Sequence, residues 1–253
     1  MHRLSFALLI CLVMAGCAHS PIAVCPLAPD REQRIESEIT QTLFSGEPIR
    51  LRTAGDPQDF LAIWRPGRAD RPAIVLAHGP GRHIGSPIIN ETAMALEALG
   101  YATLTLQMPM QRQDCEGGDV YPQLFDAAVA RIDAAARWLQ GRHPAGRALF
   151  AHWIGNEYLA RTPNAPFDAW IVNGITGRFG SIGDNEPRIL DVYGSQGHPM
   201  TLRAAWWRRL WLGFRKDGQQ QVIEGANQNF DGRYQALADA IDQFLTRAPD
   251  AAR

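Results

Sequence analysis

In the central part of the chain, short unbroken apolar runs alternate with longer stretches in which apolar residues recur every three or four positions. Strands are predicted over PAIVLAHG (72–79), YATLTLQMP (101–109) and RALFAH (147–152), and a helix over PQLFDAAVARIDAAARWLQG (122–141). Strands that are apolar on both faces and separated by helices are typical of a mainly parallel sheet that helices cover on both sides. The pattern therefore predicts a doubly wound α/β domain.

The segments on either side extend this pattern. An amphipathic helix is predicted over DREQRIESEITQTLFSG (30–46), with Asp30 as its N-cap and Gly46 as its stop. Partial alternation predicts an antiparallel pair at one edge of the sheet, formed by PIRLRTAG (48–55) and DFLAIWRPG (59–67). Further helices are expected at 88–99, 155–161, 202–214 and 234–247, and further strands at 168–174, 188–194 and 219–225.

Length, composition and charge restrict the function only broadly. A chain of 253 residues with 46% hydrophobic residues is long enough for one large core and short for two. The formal net charge of −1 gives no electrostatic reason to expect nucleic acid as a partner. We expect a single domain whose partners must be inferred from its sites.

The N-terminus has the layout of a secretory signal: a basic start, an apolar run over 4–14 and small residues before Cys17. The small residues directly before this cysteine resemble the bacterial lipobox, which implies cleavage ahead of Cys17 and a lipid on its thiol. Ala18 in the next position implies sorting to the outer membrane, facing the periplasm. An ordinary secretory signal and an uncleaved anchor remain the alternatives.

The predicted organisation is a signal peptide over 1–16, a lipid-anchored tether over 17–29, the domain over 30–248 and a tail over 249–253. With Cys17 acylated, Cys25 and Cys115 are left as thiols of the exported chain in an oxidising compartment. A disulfide between them is one expectation. Two unpaired thiols are the other, because spacing alone does not bring two Cα atoms within bonding range.

Two motifs in the strand–helix pattern carry candidate chemistry. The strand at 147–152 runs into AHWIG, which has the outline of the nucleophile elbow GxSxG with Trp153 in the serine position. Upstream, His78, Gly79 and Gly81 stand as the HGxG pattern of an oxyanion loop. Together with the order of elements over 50–245, these motifs resemble the α/β-hydrolase fold, and in detail a small family of exported bacterial proteins whose domain has no assigned function. The short connection before the strand at 188–194 implies no lid domain.

The resemblance implies a triad in the order Ser, Asp, His, and each of its positions has lost the required group. The nucleophile position is Trp153, the acid position falls on Gly197 with Gln196 as its neighbouring alternative, and the base position is Gln228. An indole has no acyl-accepting oxygen, a glycine has no carboxylate, and a glutamine shuttles no proton near neutral pH. The degenerate triad positions predict that no residue of the motif is catalytic.

A relocated active site is the alternative to this interpretation. Ser195 and His198 follow the strand at 188–194, with Asp191 upstream, and Ser181 lies near Asp184. These serines follow a different strand from the elbow, and roles rather than positions define a triad. The histidines lack paired metal-ligand spacing and no phosphate loop or dinucleotide motif is present, so we expect no metal and no cofactor.

Trp153 is expected either to fill the former catalytic cavity or to serve as an aromatic platform for a ligand. In either case we expect Gln228 or Asn229 to accept a hydrogen bond from its indole N–H. These features predict a catalytically silent hydrolase fold that acts as a binding or scaffold module at the bacterial cell envelope. Its expected partners are the membrane, through the N-terminal lipid, and a protein or glycan. The alternative is an active carboxylesterase or acyl hydrolase with a non-standard nucleophile.

The helix predicted over 202–214 is unusually rich in aromatic and basic residues. Its spacing places Trp207, Trp211 and Phe214 on one face, with Trp206 and Leu210 beside them. Arg203, Arg208, Arg209, Arg215 and Lys216 are predicted to surround this face. We expect the helix to cover the sheet and to leave part of its aromatic surface outward, available to a membrane interface or a partner.

Overall fold

The computed structural model describes residues 26–54, 59–112, 122–153, 161, 166–176, 179, 187–215 and 217–247. In chain order the elements are α1 (Pro29–Thr42), β1 (Glu47–Arg52), β2 (Asp59–Arg65), β3 (Ala73–Ala77), α2 (Pro87–Ala98), β4 (Ala102–Leu106), α3 (Pro122–Leu139), β5 (Arg147–His152), β6 (Ala169–Asn173), β7 (Arg188–Gln196), α4 (Pro199–Gly213), β8 (Gly218–Asn227) and α5 (Tyr234–Thr246). The alternation of strands and helices confirms the predicted α/β class.

An eight-stranded sheet in the order β1-β2-β4-β3-β5-β6-β7-β8 organises the domain. β1 pairs antiparallel with β2, and β2 pairs antiparallel with β4. The remaining pairs, from β4 across to β8, are parallel. The predicted antiparallel pair therefore forms one edge, and β8 forms the other.

Helices cover both faces of the sheet because the central strands are apolar on both sides. On β3, Val75 belongs to the same buried cluster as Ile132 of α3 and Leu212 of α4. Its neighbour Ile74 points to the opposite face and shares a cluster with Phe244 of α5. Helix α2 packs on this second face together with α5. The sheet is thus doubly wound, with α3 and α4 on one face and α2 and α5 on the other.

Helix α1 differs in its ends from the prediction. Asp30 is not the N-cap: the helix begins at Pro29 and Ala28 occupies the cap position. Proline suits the first helical position because its ring presets φ and its missing N–H has no intrahelical acceptor there. Asp30 lies in the first turn, where its charge interacts favourably with the helix dipole. The helix ends at Thr42, ahead of the predicted stop at Gly46.

Two buried carboxylates attach α1 to the rest of the domain. Glu32 accepts hydrogen bonds from the Met110 N–H at 3.1 Å and from Arg131 Nη1 at 2.7 Å. Glu36 accepts from the Leu61 N–H of β2 at 3.0 Å. Burial raises the pKa of Glu32, and the Arg131 charge opposes that shift. The helix is therefore held by charge-assisted hydrogen bonds as well as by its apolar side.

Several predictions fall outside the described residues. These are the N-terminal signal and Cys17, the pairing of Cys25 with Cys115, and the short helix at 155–161 except for Arg161. Within the described part of the chain, none of the helices combines the length and apolarity needed to cross a bilayer.

Candidate functional site

The elbow lies at the carboxyl end of β5, where Trp153 follows the last strand residue, His152. Trp153 has a φ of 69°, in the left-handed region that bulky side chains rarely adopt. Its N–H donates to the Asn173 carbonyl at the end of the neighbouring strand β6, at 2.7 Å. A left-handed residue directly after a strand is the backbone feature that presents the nucleophile in the GxSxG elbow. Here the turn presents an indole.

Two glycines approach this turn closely. A Cβ on Gly79 would lie 2.9 Å from the His152 carbonyl oxygen and 3.1 Å from Trp153 Cβ, so this position admits no side chain without a shift. A Cβ on Gly174 would lie 3.5 Å from Trp153 Cδ1. The half-buried Trp153 side chain therefore has its Cβ against Gly79 of the HGxG loop, and its indole extends towards Gly174, directly after β6.

Beneath the elbow, His152 and Asn173 form a buried polar pair. The His152 ring N–H at Nδ1 donates to Asn173 Oδ1 at 2.5 Å, and Asn173 Nδ2 donates to the Val192 carbonyl at 3.3 Å. Burial lowers the pKa of His152 to about 4; the Asn173 hydrogen bond opposes this shift and the Arg82 charge adds to it. His152 is thus neutral at physiological pH. Within the described chain, its Nε2 has no hydrogen-bond partner.

The loop after β3 matches the HGxG pattern, and His78 has a structural role in it. The buried ring donates from Nδ1 to the Gly79 carbonyl at 2.9 Å and accepts at Nε2 from the Met108 N–H at 3.0 Å. Burial lowers the pKa of His78 to about 3. The ring remains a neutral link between the ends of β3 and β4, and both nitrogens are occupied.

Proline in the third position of this loop restricts its capacity to bind an oxyanion. Pro80 has no N–H, and the Arg82 N–H donates to the Gly79 carbonyl at 3.3 Å. Of the four residues His78 to Gly81, the proline is therefore the one that cannot offer a backbone donor. Gly81 has a φ of 73° and open space where a Cβ would stand.

The acid and base positions lie side by side at the carboxyl ends of β7 and β8. Gln196 pairs with Asn227, so the acid position is next to Gln228, which follows Asn227. The Gly197 N–H donates to the Gly194 carbonyl at 3.0 Å. The sheet register therefore brings these two positions to one place, and neither carries a group that titrates near neutral pH.

The base loop is a tight turn that contacts the oxyanion loop. The Asn227 side chain accepts from the Asn229 N–H at 3.0 Å, and the next buried residue, Phe230, has a φ of 55°. Arg82 Nη2 donates to Asn229 Oδ1 at 2.9 Å. Asn229, one of two residues expected to accept from the Trp153 indole, is thus hydrogen-bonded to Arg82. The contact places the turn after β8 beside the HGxG loop.

The residues considered for a relocated triad have other partners. Ser195 Oγ donates to Glu224 at 3.0 Å and accepts from the Gly225 N–H at 2.9 Å. His198 is the N-cap of α4, and its Nδ1 accepts from the Met200 N–H at 3.3 Å. Ser181 and Asp184 lie outside the described residues. In the part of the chain that is described, no group of His, Cys, Asp or Glu is arranged to hold a metal ion.

Asp191 and Arg208 form a buried ion pair on the α4 face of the sheet. Both side chains are fully buried, and Arg208 Nε donates to Asp191 Oδ2 at 2.8 Å. Arg208 Nη1 also donates to the Ile175 carbonyl at 2.9 Å and the Thr201 carbonyl at 3.2 Å. Burial raises the pKa of Asp191, and the Arg208 charge opposes that shift. The prediction that Arg208 belongs to an outward basic ring is therefore wrong.

Arg208 could have been recognised from its position in the helix. The buried residues of α4 follow one stripe: Thr201, Ala205, Arg208 and Leu212. An arginine within the apolar stripe of a helix indicates a buried partner, because an unpaired charge is rarely buried. The pairing of His152 with Asn173 had no comparable signal, since it depends on the register between β5 and β6.

Comparison with known proteins supports the fold. No protein-family profile matches the sequence, and neither does any curated protein. A lidless α/β serine hydrolase from Xanthomonas campestris superposes with a TM-score of 0.60 at 15% identity, over 83% of this chain and 99% of its own. A dienelactone hydrolase from Anabaena variabilis superposes with a TM-score of 0.59 at 16% identity, over 79% of this chain and 96% of its own. A serine hydrolase homologue from Coxiella burnetii superposes with a TM-score of 0.59 at 15% identity, over 81% of this chain and 99% of its own.

At these identities the similarity establishes the fold alone. The chain has the lidless α/β-hydrolase fold. The residues predicted for the elbow, the HGxG loop, the acid position and the base position lie at the carboxyl ends of parallel strands. The activities named for the three similar structures belong to those proteins.

Proposed function

We propose that this chain is an α/β-hydrolase-fold protein without serine-hydrolase activity, which acts as a binding or scaffold module at the bacterial cell envelope. The observation that carries the proposal is Trp153, which occupies the left-handed turn of the elbow with φ of 69°. Acyl transfer requires a hydroxyl or thiol at that turn, a base to take its proton and a carboxylate to orient the base. The indole offers none of these groups.

The neighbouring positions support the same conclusion. Gln228 stands where the base is needed, and Gly197 and Gln196 where the acid is needed, on adjoining strand ends. The nearby buried histidine, His152, points to Asn173 and has a pKa of about 4, so it is a weak base for a nucleophile at neutral pH. Among the described residues at these predicted positions, none carries a group that suits serine hydrolysis, which supports the proposal.

A binding role is supported by the half-buried Trp153 and the polar loops around it. An indole that lies over a strand end between polar loops offers a flat surface for stacking. The contact from Arg82 to Asn229 adds a cation and an amide to the same edge. Such a surface suits a protein loop or a glycan, which an open, lidless site admits.

The decisive experiment is the intact mass of the unlipidated mature chain after exposure to a fluorophosphonate. No mass change is expected for the natural protein, because a fluorophosphonate requires an activated nucleophile. A stoichiometric mass increase would overturn the proposal and support an active hydrolase with a non-standard nucleophile. Peptide mapping would then identify the labelled residue.

A variant with a restored triad provides the positive control. It carries Trp153→Ser and Gln228→His together with an acid at one of two positions. Gly197→Asp places a Cβ 2.9 Å from the Gly194 carbonyl oxygen, so the loop must shift, whereas Gln196 is exposed and admits Gln196→Asp. Labelling of either restored variant would establish that the probe reaches the elbow and would make the unlabelled natural protein informative.

The lipid anchor and the outer-membrane location are part of the proposal, and the anchor has its own test. Cells that express the full chain are fed an alkyne-bearing palmitate analogue, and the purified chain is examined for the label. Incorporation is expected in the natural sequence and not in Cys17→Ser. Equal incorporation in both, or none in either, would contradict the proposed anchor.

A further inference from the structure

Helix α4 carries an outward stripe of large apolar side chains. The stripe consists of Leu202, Trp206, Leu210 and Phe214, at successive intervals of four residues. Trp206 is 57% exposed and Phe214, at the C-cap, is 84% exposed. Residues at this spacing are neighbours on one side of a helix, so their exposed areas adjoin. An apolar surface of this kind on a soluble domain marks an interaction site.

Trp206 of the stripe stacks on the neighbouring Trp207. The rings of Trp206 and Trp207 stack with centroids 4.1 Å apart and planes inclined by 19°. Trp207 is 41% exposed, whereas Trp211 turns inward and packs on Phe179 with ring centroids 4.6 Å apart. Trp207 and Trp211, four residues apart, lie on neighbouring positions of the helix as predicted, but they differ in exposure. Trp206, Trp207 and Phe214 form the exposed aromatic area, and Trp211 does not belong to it.

The charged residues of α4 itself are all basic. Arg203 and Arg209 are exposed beside the tryptophans, and within the described residues neither forms an ion pair. No acidic residue occurs between positions 199 and 216. Asp191 is buried against Arg208, whereas two other carboxylates lie outside the stripe: Asp217 follows the helix segment, and the exposed Glu224 of β8 accepts a hydrogen bond from Ser195. The outward surface of α4 is therefore apolar, aromatic and positive.

We propose that α4 is an interfacial helix that docks on an anionic lipid surface. Indole rings favour the boundary between headgroups and acyl chains, and exposed arginines are attracted to anionic headgroups. A second copy of this chain fits the surface less well. A two-fold axis through the stripe would bring Arg203 and Arg209 towards the same arginines of the other copy. The positive border thus favours lipid over self-association.

This inference goes beyond the proposed function and does not depend on it, since an active elbow would leave the α4 surface unchanged. It is also compatible with the proposed anchor. Near the start of the described chain Leu27 pairs with Gln111, five residues after β4, and α4 begins after β7; both β4 and β7 end at the carboxyl end of the parallel strands. Four strand spacings separate β4 from β7, about 19 Å. Residues 18–25 span about 28 Å when extended, so the tether is long enough.

The test uses the full chain reconstituted in vesicles of phosphatidylglycerol and phosphatidylcholine. The phosphatidylcholine is brominated near the headgroup, so that it quenches tryptophan emission on contact. Emission of the natural chain is expected to fall relative to unbrominated vesicles. In Trp206→Phe/Trp207→Phe the surface stays apolar and the quenched component is lost. In Arg203→Gln/Arg209→Gln the quenching is expected to weaken because the attraction to phosphatidylglycerol is gone.

A matched control separates docking from tethering. Phe44 is 94% exposed and lies next to β1, at the opposite edge of the sheet from α4. Phe44→Trp in the Trp206→Phe/Trp207→Phe background places an indole at that edge, and we expect no quenching of it. Equal quenching there would show that the tether alone accounts for the signal and would overturn the proposal. Quenching that is unchanged by Trp206→Phe/Trp207→Phe or by the arginine variants would also overturn it.

Discussion

The ion pair between Asp191 and Arg208 provides a stringent test of how α4 is held on the sheet. We consider Arg208→Met, which keeps an unbranched side chain of similar length but removes the charge and the hydrogen bonds. In the natural protein Arg208 contacts Asp191 and the carbonyls of Ile175 and Thr201, all without access to water. The variant leaves a buried carboxylate that retains only the hydrogen bond from Gln220, at 2.8 Å.

The expected loss of stability follows from these contacts. Removing one partner of a buried ion pair costs about 3–5 kcal/mol, because the other charge stays buried without compensation. We expect about 4 kcal/mol for Arg208→Met, a large part of the roughly 5–15 kcal/mol that stabilises a domain. Adding Asp191→Asn removes the uncompensated charge and should restore about half of the loss.

The destabilisation by Arg208→Met should change with pH, which a simple loss of packing would not cause. Burial already raises the pKa of Asp191, and Arg208 opposes the shift, so Arg208→Met raises this pKa further. A carboxyl group whose pKa is higher in the folded state stabilises the fold at low pH, and this contribution is lost as pH rises through that pKa. The destabilisation by Arg208→Met should therefore be smaller at about pH 5 than at about pH 8.

Urea unfolding followed by far-ultraviolet circular dichroism measures these differences in the free energy of unfolding. Each variant is compared with the natural protein at the same pH, so that other titrating groups cancel. A loss below about 1 kcal/mol for Arg208→Met would refute the reasoning, because it would mean that the pair is not buried as described. A double variant as unstable as the single one would refute the assignment of the loss to the uncompensated charge.

Three further predictions concern the elbow and α1. Because burial lowers the folded pKa of His152 to about 4, this residue alone should contribute a loss of about 3 kcal/mol of stability as pH drops from about 6.5 to about 4, and His152→Gln should make the measured fall shallower by about that amount in urea titrations. Gly79→Ala should lower the thermal midpoint, with a loss of about 1–3 kcal/mol, because its Cβ meets the His152 carbonyl; an unchanged midpoint would contradict the close approach. Glu32→Ala should cost about 3 kcal/mol and reduce hydrogen-exchange protection throughout α1, since Arg131 loses its buried partner.

The sheet was predictable from the sequence because its central strands are apolar on both faces. β3 and the centre of β5 stand out as apolar runs, β4 adds two buried threonines to its apolar residues, and the helices between these strands require parallel crossovers. Helix ends were less predictable, since Pro29 begins α1 one residue before the residue expected to cap it. Local preference permits both positions, and packing decides between them.

The candidate site was predictable in outline but not in its hydrogen bonds. The elbow and the HGxG loop have local sequence patterns, so their positions at strand ends followed from the motifs. The pairs of His152 with Asn173 and of Arg82 with Asn229 join residues that are far apart in sequence. Their proximity depends on strand register and loop path, which hydrophobic periodicity does not encode.

The turn at Trp153 also bears on how many base changes separate this chain from one with serine, histidine and aspartate at the predicted triad positions. The left-handed conformation is held by the main chain, through the bond to the Asn173 carbonyl and the close approach of Gly79, and not by the indole. In the genetic code a single base change converts tryptophan to serine, glutamine to histidine, and a glycine codon ending in a pyrimidine to aspartate. A point substitution at Trp153 would therefore meet a residue position that is already left-handed. At Gly197 the Gly194 carbonyl stands 2.9 Å from the incoming Cβ, so the obstacle there is the shape of one loop and not the number of base changes.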